Sequence, residues 1–203
     1  VISASKTTSG NQLHILDLKK ERLITIHKEY MNRLSVVHNE GNQFFIYSNI
    51  ESPNGRVFSV NLNNPKKWND IVPEKENVLS ASFGGGYLFA SYLVDAKTEV
   101  EQLDLNGKLI RNIKLPGIGT ASGFSAKKED KDLYYSFRSF TFPSTIYNYK
   151  LTTGESEIYQ SPSIDFNAED YITKQIFFKS KDDTSIPMFI THKKDMAMNG
   201  MNP

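Results

Sequence analysis

The chain carries four histidines, His14, His27, His38 and His192, and no cysteine. Thiolate nucleophiles, disulfides and zinc–thiolate sites are therefore excluded. No two histidines have the i/i+4 or comparable spacing that brings two imidazoles to one metal, so all four read as surface or strand positions. A nucleophile elbow requires Gly-x-Ser-x-Gly, with the serine on a sharp strand-to-helix turn. Ser125 has Gly123 before it, but Lys127 stands where the second glycine is needed. Gly84-Gly85-Gly86 has the glycine content of a phosphate loop, yet no Lys-Ser/Thr pair or helix follows. A tight turn between strands is the simpler reading. Met196, Met198 and Met201 lie in a polar tail and read as packing for a partner domain. No catalytic residue, metal ligand or cofactor is assigned.

Composition narrows the partners. Among 203 residues, Lys+Arg is 24 and Asp+Glu is 23, a net charge of +1. That balance gives no reason to expect nucleic acid or an anionic membrane. No apolar run approaches the roughly 18 residues of a membrane span, and no Asn-x-Ser/Thr acceptor occurs. The opening "VISAS" alternates, lacks Met and a basic flank, and reads as a start inside a strand rather than a signal peptide. The lack of cysteine suits the cytoplasm and is permitted in a bacterial periplasm.

The elements that hold these residues are strands. Ten Tyr and 13 Phe fall with β-branched residues in short runs broken by Gly, Asn, Asp and Pro. The runs Phe44–Tyr47 and Tyr134–Phe137 read as core. Four strands end in serine, at Ser5, Ser48, Ser91 and Ser136, spaced 43, 43 and 45 residues apart. A second series follows in step, at Leu18, Leu62, Leu105 and Leu151. A period of roughly 40–50 residues is that of a four-stranded propeller blade. In one unit, Asn77–Gly85 is the inner strand, Tyr87–Leu93 the second, Thr98–Leu105 the third and Lys108–Leu115 the outer, with Asn106-Gly107 as a two-residue hairpin turn. The first unit lacks its inner strand. The fold class is all-β: about three and a half blades, fewer than the roughly 4–8 that close a ring, so the chain is expected to be a fragment. After about Ser163 the period stops. Tyr171–Lys194 reads as a hairpin around Lys181-Asp182-Asp183, with Ile172, Ile176 and Phe178 on one face of the first strand and Ile186, Met188 and Ile190 on one face of the second. The blade before it already has an outer strand in "ESEIYQ", so this hairpin is expected to be exposed.

The segment Asp170–Pro203, through "DY", "SKDDTSIPMFITHKK" and "NGMNP", resembles the point where the propeller of the prolyl oligopeptidase family returns to its peptidase domain. Asp182-Asp183 replaces the family's usual Asp-Gly. "YYSFRSFTFPSTIYNYKLTTGE" resembles the same family's last blade, and "WNDIVPEKENVL" and "HILDLKKE" extend the likeness over essentially the whole chain. Oligopeptidases that cleave after basic residues share the architecture, but "SIPMFITHKK" fits the prolyl branch better. The resemblance implies a division into residues 1–163, propeller, and 164–203, a linker and the first strands of an α/β-hydrolase domain. It implies a seven-bladed ring and a serine peptidase that cleaves short proline-containing peptides after proline, with its Ser-Asp-His set and oxyanion tyrosine beyond Pro203. The propeller would then gate and size-select substrate. Loops between second and third strands share one face of a propeller with the blade-to-blade connections, and by the resemblance that face covers the peptidase domain. Lys6, Thr7 and Thr8 sit where the family places side chains near substrate. Arg138, Phe140 and Phe142 sit on a loop of the same face. The alternative is a non-catalytic propeller that binds proteins.

Overall fold

The computed structural model describes residues 1–197 and 199–201; Met198 lies outside them. Strands β1 (Ile2–Ala4), β2 (Gln12–Asp17) and β3 (Arg22–His27) form a three-stranded antiparallel sheet. Three four-stranded meanders follow. They are β4 (Leu34–Glu40), β5 (Gln43–Ser48), β6 (Arg56–Asn61) and β7 (Asn64–Val72); then β8 (Leu79–Gly84), β9 (Tyr87–Val94), β10 (Lys97–Leu103) and β11 (Leu109–Asn112); then β12 (Thr120–Ser125), β13 (Asp132–Arg138), β14 (Thr145–Lys150) and β15 (Ser156–Gln160). Each sheet is a propeller blade paired in chain order, and the first has no inner strand. A hairpin, β16 (Tyr171–Lys179) and β17 (Ser185–Lys193), forms a sheet of its own.

Apolar residues on both faces of the second and third strands force blades to stack. One core joins blades 1 and 2 through Leu13, Ile24, Leu34, Ile46, Phe58 and Val60. A second joins blades 2 and 3 through Phe45, Val57, Leu79, Leu88 and Leu103. A third joins blades 3 and 4 through Phe89, Phe124, Tyr135, Phe137 and Tyr149. Burial of each such side chain contributes roughly 1.5–3 kcal/mol. Trp68 of β7 stacks on Phe58 with ring centroids 4.0 Å apart and donates from Nε1 to the Pro65 carbonyl.

The ladder register refines the serine landmark. Ser91 pairs with Val100 and Ser136 with Ile146, each partner five residues before the landmark leucine. The same position in blade 2 is Tyr47, paired with Val57, and in blade 1 it is Ser3, paired with Leu13. Ser48 thus lies one residue beyond its counterparts and Ser5 two. The inner strands carry their own serines opposite this position: Ser35, Ser80 and Ser122.

The turn at Asn106-Gly107 also differs from expectation. Only Gly107 has positive φ, at 82°. The Asp104 carboxylate accepts from the Asn106 and Lys108 amides at 2.8 and 2.9 Å, and Gly107 N donates to the Asp104 carbonyl. The carboxylate supplies the organisation that a primed two-residue turn would otherwise need. Gly107 also lies against the Ile71 carbonyl so closely that a Cβ there would overlap it.

On the side of the inner-to-second turns, Lys128 of blade 4 reaches Glu40 of blade 2 at 2.6 Å, and His38 reaches the other Glu40 oxygen at 2.8 Å. His38 lies flat on Phe83 of the intervening blade. Hydrogen bonds from His38 and then Lys128 hold the Glu40 carboxyl below its usual 4.5. A carboxyl lowered in the folded state adds stability that is complete above its unfolded value and fades as pH falls through the folded one. Lys128→Met should therefore flatten the loss of stability as pH falls below 4.5, read as urea midpoints across that range; an unchanged acid limb would show that the Lys128–Glu40 contact contributes nothing to stability.

Candidate functional site

In a meander, the loop between second and third strands leaves the same end of the blade as the connection to the next inner strand. Here the loops are residues 5–11, 49–55, 95–96 and 139–144, and the connections are 28–33, 73–78 and 113–119. The first two loops, and the second residue of β10 just past the third, are each tied to the amide of the next inner strand's first buried residue. Leu34 N donates to Asn11 Oδ1 at 3.0 Å, Leu79 N to the Asn54 carbonyl at 2.7 Å, and Ala121 N to Thr98 Oγ1 at 3.2 Å. Asn11 is buried and also donates from Nδ2 to Ser3 Oγ and to the Gln12 and Leu34 carbonyls. Asn54 donates to the Lys75 and Glu76 carbonyls, and its own amide donates to Glu74 Oε1. These ties shape a continuous loop face. Sequence reasoning missed them, although Asn11, Asn54 and Thr98 recur at 43 and 44 residues, in step with the blades.

Lys6, Thr7 and Thr8 are exposed on the first of these loops. The Lys6 ammonium lies 4.6 Å over the Tyr30 ring, a cation–π contact. Thr7 Oγ1 accepts from Ser9 N, and the Thr8 carbonyl accepts from Arg33. Arg138, Phe140 and Phe142 lie three blades away, so the two groups stand at opposite ends of the arc. Ser139 Oγ accepts from the Thr141 and Phe142 amides, and Ser139 N donates to the Phe142 carbonyl. This closed turn pushes Phe140 outward, 68% exposed. Its ring meets Phe189 of β17 with centroids 5.4 Å apart. Beside it, Phe142, Thr141, Tyr171, Ile172 and Lys194 line an open cleft of about 490 Å³.

His14, His38 and His192 make hydrogen bonds, whereas the buried Nε2 of His27 makes none. His14 bonds Thr25 Oγ1 and Gln12 Oε1, and His192 Nδ1 bonds the Lys193 carbonyl. Burial lowers the His27 pKa. Among the described residues, no His, Cys, Asp and Glu cluster could hold a metal ion, and no helix is long and apolar enough to cross a membrane.

The family model for the prolyl oligopeptidase N-terminal β-propeller domain matches residues 1–162. The chain belongs to this family. The prolyl endopeptidase of Elizabethkingia meningoseptica is 44% identical over 206 residues, which cover 100% of this chain and 29% of that protein. The prolyl endopeptidase of Elizabethkingia miricola is 41% identical over the same shares. The chain therefore spans under a third of these relatives. A solved structure from a study of two prolyl endopeptidases and their inter-domain dynamics superposes with a TM-score of 0.81 at 35% identity, over 93% of this chain and 28% of that one. Apo prolyl oligopeptidase B from Galerina marginata superposes at 0.85 with 22% identity, over 95% of this chain and 29% of that one, a likeness of fold.

Proposed function

We propose that this chain is the propeller portion of a serine endopeptidase that cleaves short peptides after proline, and that its loop face gates and size-selects substrate. The likeness to prolyl endopeptidases along 100% of the chain carries the reading. Residues 1–163 would be blades and 164–203 the linker and first strands of the peptidase domain; the solitary β16–β17 sheet and its outward apolar residues support that division. The physical logic is exclusion: a folded protein cannot pass a surface held rigid by the Asn11, Asn54 and Thr98 ties. Lys6, Thr7 and Thr8 at one end, and Arg138, Phe140 and Phe142 at the other, would border the enclosed space. The other partner is the chain's own peptidase domain. The compartment is cytoplasmic or periplasmic.

The chain carries no Gly-x-Ser-x-Gly elbow, and is expected not to cleave a succinyl-Gly-Pro reporter. The intact parent should cleave it, and should be abolished by a serine-directed phosphonate. Phosphonate-sensitive turnover by the 203-residue chain, free of host peptidase, would overturn the assignment of roles. An intact parent that is inert toward the reporter would overturn the function.

A further inference from the structure

We infer that the Asp95–Ala96 tip of blade 3 and Phe140 of blade 4 form the propeller half of a latch that grips the β16–β17 hairpin and sets how readily propeller and peptidase portions part. The second half of this statement rests on the proposed function; the first does not. Gln175 and Phe189 are directly opposed across the hairpin, so their side chains stand together on one face. From that single pair, Gln175 Nε2 donates to the Asp95 carbonyl at 2.7 Å and Phe189 packs on Phe140. One cross-strand pair thus bridges two successive blades. The opposite face presents Ile176, Phe178, Met188 and Ile190, all partly exposed, and is free to bind a second body while the latch stays closed.

The acceptor is presented by a tight turn. Asp95 and Ala96 both have positive φ, 47° and 62°, the primed two-residue turn that matches the twist of the β9–β10 hairpin. It turns the Asp95 carbonyl toward the hairpin. The grip consists of one hydrogen bond and one ring pair, far less than an interface that fixes two domains permanently. A contact of that size opens and closes.

Hydrogen exchange on the 203-residue chain tests the grip. Gln175→Glu keeps the shape but removes the donor, and Phe140→Ala removes the ring. Each should speed exchange of the β16–β17 amides, and the pair together by about tenfold, while β9 and β14 keep their protection. A hairpin that exchanges equally fast in the wild-type and doubly substituted chains would overturn the latch. So would loss of protection that spreads to β9 and β14, since Phe140 would then serve blade stability instead. The readout needs no catalysis, so an inert parent would sink the proposed function and leave the latch standing. In an active parent, the pair should raise cleavage of a long proline peptide severalfold more than cleavage of a dipeptide reporter. Equal ratios for both substrates would remove the latch's role in domain parting.

Discussion

Asn11→Ala is expected to lower stability by about 3 kcal/mol, with the loss confined at first to blade 1. The side chain makes four hydrogen bonds, two of them to Leu34, whose N–H and C=O begin the inner strand of blade 2. Removing it leaves both Leu34 groups without partners in a region where Leu34 is buried. Each orphaned buried group costs about 1–3 kcal/mol. Asn11→Asp separates the two halves of the contact: a carboxylate still accepts from Leu34 N but cannot donate to the Leu34 carbonyl, so it should fall between wild type and alanine. Stacked repeats couple mainly to their neighbours, which predicts faster exchange in β1 to β3 before β8 to β15 respond. Trp68, the chain's single tryptophan, stacks in blade 2 and reports the adjoining blade by fluorescence during urea titration. A midpoint shift no larger than that of an ordinary surface substitution, about 0.5 kcal/mol, would show that the Asn11 tie is ornamental.

Alternation and period made the blades legible, because both follow from burying two faces of a sheet. The leucine landmark keeps register with the ladder in all four blades. The serine landmark does not: Ser48 is the last residue of β5 and Ser5 lies just past β1. The hairpin was legible for the same reason as the blades. Ile176 and Phe178 do share a face with Met188 and Ile186. Its other face was not legible. Gln175 and Phe189 grip the propeller through one amide and one ring, and neither leaves a periodic trace. Two of the loop-face ties depend on where a side-chain oxygen, of Asn11 or Thr98, meets an amide 23 residues on, a distance set by a whole blade's folding. Asp104 illustrates the local limit: Asn-Gly announces a turn, but the carboxylate two residues earlier chooses which one.

Gln102→Leu should destabilise the joint between blades 3 and 4 by about 2–4 kcal/mol, and more than its change in volume would suggest. Gln102 has no exposed surface. Its Nε2 donates to the Leu151 carbonyl at 3.0 Å, and its Oε1 accepts from the Tyr149 hydroxyl at 2.7 Å. Tyr149 is fully buried too, and burial raises its pKa. Leucine fills the space but strands both the hydroxyl and the carbonyl inside the core of Phe89, Phe137 and Leu151. The effect should be asymmetric. Once Gln102 is leucine, Tyr149→Phe removes the stranded hydroxyl, so the double variant should be no less stable than Gln102→Leu alone. In wild type, Tyr149→Phe should cost about 1–2 kcal/mol, because it leaves Oε1 without its donor. The coupling from the complete cycle should then be about 1–2 kcal/mol. Additive losses would mean that the two side chains stabilise the joint by packing alone, with the hydrogen bond between them contributing nothing measurable.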